Sequence, residues 1–146
     1  MITNIRHTGI VVNELKDSLF FYTELLGFKV VKKMIESGNY INNMLSLKDV
    51  KVTTIKLAAP DGNLIELLYY HSHRGINKGQ KEIFEPGLSH MAFTVDDLDK
   101  EYDRLTKAGI TFNAPPQFSP DRFAKVTFCK DPDGNLIELV EILKDK

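Results

Sequence analysis

An eight-residue string that occurs twice constrains the fold of this chain more than any other feature. Residues 60–67 read Pro-Asp-Gly-Asn-Leu-Ile-Glu-Leu, and residues 132–139 repeat the string without a change. An internal copy of this kind indicates a duplicated structural unit. Pro-Asp-Gly favours a type I turn continued by a left-handed glycine, which connects one antiparallel strand to the next. The sequence therefore predicts two similar hairpins, each with a short apolar second strand.

Each of these apolar strands carries one glutamate. Side chains alternate between the two faces of a strand, so Glu66 shares a face with Leu64 and Leu68. Glu138 has the same place in the second copy. This pattern predicts an interior face, where an ionised carboxylate is costly unless a cation pairs with it or a metal binds it. Both glutamates therefore need a cationic partner or a bound metal.

The duplication extends from the string to the order of elements around it. In the first copy we expect a helix over residues 16–26, a loop with short regular pieces over 36–47, and strands over 7–12, 28–35, 50–58 and 63–70. In the second copy we expect a helix from Asp96 or Asp97 to Gly109 and strands over 88–95, 110–113, 124–130 and 135–143. The predicted fold class is α+β, with two tandem βαβββ modules over residues 1–70 and 87–146. A polar linker over 71–86 joins them within a single domain, 1–146.

Aligning the copies places one histidine and one glutamate in each. His7 matches His90 on the first strand, and Glu66 matches Glu138 on the last. His7 shares its face with Gly9, a small residue that leaves space beside the ring. A single strand histidine is more often a hydrogen-bonded structural residue, but matched positions in two copies favour ligands. The sequence thus predicts a divalent-metal site, for Zn, Ni, Co, Mn or Fe, formed by two imidazoles and two carboxylates.

Composition excludes several other classes of function. The chain has 19 basic and 20 acidic residues and a net charge of −1, without the basic patch of a nucleic-acid-binding protein. The single cysteine, Cys129, excludes an internal disulfide and suits a reducing compartment, where we expect it to be buried in a strand. The chain shows no signal-peptide pattern and no apolar run long enough to span a membrane. We therefore expect a cytoplasmic protein without nucleic-acid or membrane partners.

The chain resembles the vicinal oxygen chelate superfamily. This superfamily includes glyoxalase I, methylmalonyl-CoA epimerase, extradiol dioxygenases, and bleomycin- and fosfomycin-resistance proteins. The resemblance covers nearly the whole chain and rests on the segments His7–Val12, Ser18–Tyr22, Leu25–Phe28, Gly87–Val95 and Asp131–Leu139.

The resemblance implies a fold in which two βαβββ modules form an open, curved eight-stranded sheet around a metal ion. His7, Glu66, His90 and Glu138 fall on the four metal-binding positions of glyoxalase I and its epimerase relatives. There a small substrate offers two neighbouring oxygens to the metal, which stabilises an enolate while a carboxylate transfers a proton. The implied activity is that of a lyase or isomerase, with Glu66 or Glu138 as the catalytic base. Dimers are common among these enzymes, so we expect a homodimer.

Two departures separate this chain from the individual enzymes. Glyoxalase I usually carries an arginine on its first strand, where this chain has Val11 and Val12. Methylmalonyl-CoA epimerases usually have glutamine in place of Glu66. Two other functions stay open: an extradiol-type Fe(II) dioxygenase that uses His7, His90 and Glu138 and leaves Glu66 without a role, and a metal-free protein that binds or sequesters a small molecule.

Four further residues are weaker candidates for ligand contacts. Arg122 and Lys125 lie beside the second module's central strand, where they can hold an anionic group or belong to a solvated loop. His71 and His73 form a His-x-His pair in the linker. We expect this pair at the surface, with a substrate-covering role as the alternative.

Overall fold

The computed structural model describes residues 1–76 and 82–143. The chain divides into two compact units, Met1–Lys78 and Gly79–Lys146. Within the described residues each unit contains one four-stranded sheet, and the predicted α+β class is confirmed. Residues 77–81 of the predicted linker and 144–146 of the predicted second module lie outside the described residues.

The first unit has the predicted order of strands. Its strands are β1 (Thr8–Val11), β2 (Lys29–Ser37), β3 (Lys51–Ala58) and β4 (Leu64–Tyr70). They lie in the order β1-β4-β3-β2. β1 runs parallel to β4, whereas β3 is antiparallel to both β2 and β4. The long connection from β1 therefore returns the chain to the outer edge of the sheet, and the repeated hairpin forms its centre.

The helix predicted over residues 16–26 is present, but it changes from α-helical to π-helical hydrogen bonding along its length. It begins as α1 (Leu15–Leu19) and continues as a π-helical segment over Phe20–Leu25. The Thr23 hydroxyl donates a hydrogen bond of 2.7 Å to the Leu19 carbonyl, which competes with the regular α-helical ladder. Gly27 follows with a φ of +81° and ends the helix, as its position predicts.

The segment over residues 36–47 is predicted to be a loop with short regular pieces, and the structure shows which piece is regular. It contains a second helix, α2 (Asn39–Leu45). Ile41 on this helix forms a buried cluster with Val50 and Val52, and Leu68 and Tyr70 pack against the cluster. Because Leu68 and Tyr70 share a face of β4 with Glu66, α2 covers one end of that face. The helix therefore forms a wall beside the candidate site.

The second unit repeats the topology with a much shorter outer strand. It contains β5 (His90–Thr94), α3 (Leu98–Lys107), β6 (Gln117–Phe118), β7 (Ala124–Lys130) and β8 (Leu136–Ile142). The sheet order is β5-β8-β7-β6, with β5 parallel to β8. Asp97 is the N-cap of α3, and its carboxylate accepts a hydrogen bond of 3.0 Å from the Lys100 amide.

The prediction of a strand over residues 110–113 was wrong. Only an isolated bridge joins Phe112 to Cys129 there, and the edge strand of the described sheet is β6 further along the chain. Pro115 and Pro116 intervene between the two positions. Proline has no amide to donate to a ladder, so pairing resumes only after these residues.

Both repeated strings form the predicted turn. Gly62 and Gly134 have φ values of +87° and +83°, the left-handed conformation that glycine adopts without strain. Their amides donate to the Ala59 and Asp131 carbonyls at 2.9 and 3.0 Å. No helix in residues 1–76 and 82–143 is long and apolar enough to cross a membrane.

Candidate metal centre

The face that carries Glu66 is partly open rather than fully interior. On β4, Ile65 and Leu67 are buried on the opposite face, whereas the Glu66 side chain retains 13% of its exposure. On β8 the Glu138 side chain retains 22%. The expectation of an interior face therefore needs correction: the two glutamates lie on half-buried faces, which other atoms can approach.

His7 and Glu66 meet within the first unit. Gly9 of β1 is paired with Glu66 of β4, and His7 lies two residues earlier on the same face. The Nε2 atom of His7 is 3.7 Å from the Oε1 atom of Glu66. The parallel pairing of the first and last strands thus brings together residues that are far apart in the sequence.

His90 and Glu138 meet in the same way within the second unit. Ala92 of β5 is paired with Glu138 of β8, and the Nε2 atom of His90 is 3.0 Å from the Oε2 atom of Glu138. The Ser89 hydroxyl lies 3.0 Å from the other ring nitrogen, Nδ1. The Phe128 ring packs edge-to-face on the imidazole with centroids 5.2 Å apart. Both contacts restrict the orientation of the His90 ring.

Each pair has distances that suit a shared divalent ion. Two ligand atoms that each lie about 2.1 Å from one ion are about 3.0–3.4 Å apart for ordinary coordination angles. The measured separations of 3.7 and 3.0 Å fall close to that range. Among the described residues, no group of three or more His, Cys, Asp or Glu side chains is placed to hold a metal. The geometry therefore fits two ligands in each unit, and the four-ligand set stays a prediction.

The first pair has a neighbour that the sequence analysis missed. The Nζ atom of Lys56 lies 3.8 Å from the Oε2 atom of Glu66, and the lysine side chain retains 23% of its exposure. Lys56 on β3 is the direct cross-strand partner of Glu66. The sequence contains a signal for this pair. In a hairpin, residues that are equally distant from the tip face each other across the two strands, and Lys56 and Glu66 are equally distant from Asp61 at the tip.

The second hairpin has an aromatic residue at the matching position. Phe128 on β7 is the cross-strand partner of Glu138. A phenyl ring offers no charge to a carboxylate. The two glutamates therefore have electrostatically different surroundings, although they lie in identical strings.

The two histidines also differ at their second ring nitrogen. The Nδ1 atom of His7 is buried and has no hydrogen-bond partner within the described residues. Metal-binding histidines usually direct this nitrogen to a carbonyl, a carboxylate or water, which fixes the ring. His90 has such a contact through Ser89, so the second unit presents the better-oriented imidazole.

Lys125 lies on the wrong face to contact a ligand at Glu138. Side chains alternate between the two faces of β7, and Phe128 shares a face with Glu138. Lys125, an odd number of residues away from Phe128, therefore points to the opposite face of the sheet. Its Nζ atom is 2.5 Å from Asp99 and 3.6 Å from Glu141. The hydrogen bond to Asp99 raises the pKa of Lys125. Lys125 thus joins α3 to the sheet.

The other secondary candidates have structural contacts as well. The Arg122 guanidinium lies over the Phe118 ring, 4.4 Å from its centroid. His71 makes a hydrogen bond of 2.7 Å to the Thr53 hydroxyl, and His73 makes one of 2.7 Å to the Ser72 hydroxyl. His71 and His73 are exposed, as expected for the linker pair.

Cys129 is buried in β7, as the sequence predicted. Burial, with a contribution from the charge of Asp131, raises the pKa of its thiol to about 11. A thiol with this pKa is protonated at neutral pH and is a poor nucleophile. Cys129 is a core residue.

Comparison with known proteins identifies the family of this chain. The chain matches the Glyoxalase/Bleomycin resistance protein/Dioxygenase superfamily over residues 4–139. It therefore belongs to that superfamily, which confirms the resemblance drawn from its sequence. A crystal structure of a glyoxalase family protein from Bacillus cereus superposes with a TM-score of 0.87 at 24% identity, covering 98% of this chain and 96% of the other. That similarity supports the fold.

Several other proteins are similar to this chain in sequence. The chain is 34% identical to the uncharacterized protein YurT of Bacillus subtilis, over 92% of this chain and 95% of the relative. It is 30% identical to a probable lactoylglutathione lyase of Vibrio cholerae, over 94% and 89%. It is 28% identical to the lactoylglutathione lyase of Schizosaccharomyces pombe, over 93% of this chain but only 46% of that protein. The chain thus spans about half the length of the yeast relative.

Proposed function

We propose that this protein is a metal-dependent enzyme that acts on a small molecule with two neighbouring oxygens, as a lyase or isomerase of the glyoxalase or epimerase type. His7, Glu66, His90 and Glu138 would hold a divalent ion, with Zn, Ni, Co, Mn and Fe as the candidates. The observation that carries the proposal is the repeated meeting of an imidazole and a carboxylate, at 3.7 Å in one unit and 3.0 Å in the other.

The proposal also explains why the two glutamates occupy apolar strands. A half-buried carboxylate needs a cationic partner. A divalent ion held by both Glu66 and Glu138 would be that partner for each of them. The bound ion would polarise a carbonyl of the substrate and make the adjacent proton easier to remove. Glu66 or Glu138 would accept that proton and return it to the neighbouring position.

The names of two relatives support the lyase form of this proposal. The Vibrio cholerae protein is named a probable lactoylglutathione lyase, and the Schizosaccharomyces pombe protein is named a lactoylglutathione lyase. Their identities to this chain are 30% and 28%, respectively. We therefore propose the type of chemistry without assigning either relative's substrate to this chain.

The metal content of the purified protein tests this proposal. Protein prepared without chelator should contain one bound divalent ion per site, as measured by inductively coupled plasma mass spectrometry. His7→Ala and His90→Ala should each bind the ion at least tenfold more weakly, because each removes one nitrogen ligand and opens the site to water. Competition with a chromogenic chelator measures that loss.

His73→Ala is the matched control for these substitutions. His73 is an exposed histidine whose ring contacts Ser72 outside the candidate centre. Its variant should bind metal as the wild type does, and circular dichroism should show all three variants folded. Full metal retention by either His7→Ala or His90→Ala would contradict the ligand assignment.

An Fe(II) dioxygenase is a second candidate, and the contact between Lys56 and Glu66 favours it. If the lysine holds Glu66, then His7, His90 and Glu138 remain as the two-histidine, one-carboxylate set of non-haem iron enzymes. Iron as the bound metal, together with full metal retention by Glu66→Gln, would support this candidate. Zn, Ni or Co as the bound metal would contradict it.

We also propose a homodimer located in the cytoplasm, built from one domain that contains both modules. The exposed apolar side chains of Val31 and Ile35 on the edge strand β2 support self-association. A symmetric pair is the commonest closed assembly. Sedimentation velocity at micromolar concentration should show the dimer, and a single species at the 16.6 kDa monomer mass would contradict it.

A further inference from the structure

The first sheet carries a charged row that runs through Glu66. Gly9 is paired with Glu66, Glu66 with Lys56, and Lys56 with Lys32. Directly paired residues point to the same face of a sheet. Glu66, Lys56 and Lys32 therefore lie side by side on the face that also carries His7, with one negative and two positive formal charges.

The charged row has a net positive charge, because the single carboxylate of Glu66 faces the two ammonium groups of Lys56 and Lys32. Like charges directly opposite one another destabilise a sheet, and Lys32 lies opposite Lys56. Glu66 is the one acidic member of the row, and His7 contacts the same carboxylate at 3.7 Å. The Lys56 ammonium is also partly removed from water, with 23% of its side chain exposed. A partly desolvated ammonium is a favourable place for an added anion.

We propose that Lys56, assisted by Lys32, binds an anionic group of the ligand. This inference rests on the proposed function, because a divalent ion at Glu66 would take up the carboxylate charge that now faces Lys56. The ligand class is then a small molecule that carries a carboxylate in addition to its two neighbouring oxygens.

The described part of the second module has no lysine at the matching position. Phe128 occupies the position of Lys56, opposite Glu138, and its ring packs against His90. The proposed carboxylate site therefore belongs to the first module. Lys56 would determine specificity, because it favours ligands that carry a carboxylate over ligands that lack one.

Two hydroxamate probes test the proposal on the metal-loaded protein. Acetohydroxamate presents two neighbouring oxygens without a further charge, and the monohydroxamate of succinic acid presents the same pair with an added carboxylate. Calorimetric titration at constant ionic strength gives both affinities. The wild type should bind the carboxylate probe about tenfold more tightly, as expected for one charge-assisted hydrogen bond.

Substitutions at Lys56 assign that preference to one residue. Lys56→Met should bind the two probes equally while keeping its affinity for acetohydroxamate, and Lys56→Arg should keep the preference. Lys33→Met is the matched control, because Lys33 is paired with Ile55 and points to the opposite face. It should behave as the wild type does.

Each contrary outcome has a distinct meaning. Equal binding of both probes by the wild type, or a preserved preference in Lys56→Met, would overturn the inference. Loss of metal from Lys56→Met would also overturn it, because Lys56 would then serve to hold Glu66. A wild-type protein that binds neither metal nor probe would contradict the proposed function itself, and the carboxylate site with it.

Discussion

In the first module Glu66 lies between His7 and Lys56, whereas in the second module Glu138 lies between His90 and Phe128. The glutamates occur in identical eight-residue strings, and both are central in their sheets. Their cross-strand neighbours come from β3 and β7, which the string does not include. The histidine–glutamate pair of the first module thus lies beside a cation, and that of the second module lies beside an aromatic ring.

The modules also differ at their edges. The outer strand β2 is nine residues long, whereas the outer strand β6 has two. The helix α2 follows β2, and the buried cluster that includes its Ile41 packs against Leu68 and Tyr70 on the Glu66 face. The first module therefore combines a charged row with a helical wall, which are features of a binding surface.

This difference separates two kinds of information in the duplicated sequence. The turn, the histidine and the glutamate recur in both modules, as expected if both copies contribute the same ligand chemistry. The neighbouring positions differ, as expected if one module contributes more to recognition of the ligand. Substitutions at matched positions test this division.

The largest effect is expected from removing the carboxylates that transfer protons. Glu66→Gln and Glu138→Gln should each slow proton exchange in a bound ligand about a hundredfold or more, because an amide is not a base. Hydroxyacetone has two neighbouring oxygens and exchangeable protons, and its exchange in deuterated water is measured by nuclear magnetic resonance. Much of the metal should be retained.

Glu101→Gln provides the control for that experiment. Glu101 lies on α3 and pairs with Arg104, away from the candidate centre, so its variant should exchange at the wild-type rate. If only one of the two site variants slows exchange, the modules have separate catalytic and supporting glutamates. If neither slows it, the proposed carboxylate mechanism is wrong.

A smaller effect is expected at the two repeated turns. The buried Asp131 carboxylate accepts hydrogen bonds from the amides of Asp133 and Asn135 and from the Asn135 side chain, at 2.8–3.0 Å. Asp131→Ala should lower the free energy of unfolding by about 2 kcal/mol, because it leaves buried donors without acceptors. The midpoint of urea denaturation measures this change.

Asp61→Ala is the comparison variant at the turn of the first module. The residue that matches Asp131 there is Ala59, so Asp61 is the turn carboxylate that contacts the asparagine of the string. Asp61 is exposed and accepts hydrogen bonds of 2.9 and 2.7 Å from the amide and side chain of Asn63. Water can replace this carboxylate, so the midpoint should shift less than in Asp131→Ala. An equal or larger shift in Asp61→Ala would contradict the difference we assign to burial.

The smallest effect is expected at the residue that orients His90. Ser89→Ala should weaken metal binding about tenfold, because the hydroxyl that contacts Nδ1 is lost while the ligand remains. Ser72→Ala, which removes a similar contact to His73 outside the centre, should leave the affinity unchanged. Chelator competition measures both, and unchanged affinity in Ser89→Ala would show that the contact does not orient the ligand.

Much of the fold follows from local sequence patterns. The turn residues predict the hairpins, and the apolar spacing with Asp97 predicts α3, because turns and caps depend on a few adjacent residues. The predictions were least specific, or wrong, where local signals are weak. The segment with α2 has mixed polar and apolar residues, and the strand expected over residues 110–113 forms only a bridge at Phe112.

The sequence by itself determined the duplicated α+β topology, the family, and the candidate residues His7, Glu66, His90 and Glu138. These follow from repetition and from alternation along single strands. The tertiary structure decided that Lys56 and Lys32 lie beside Glu66, that Phe128 lies beside Glu138, and that Lys125 points to the opposite face. The physical reason is that cross-strand neighbours depend on the register between strands, and a shift of one residue in register moves every side chain to the other face.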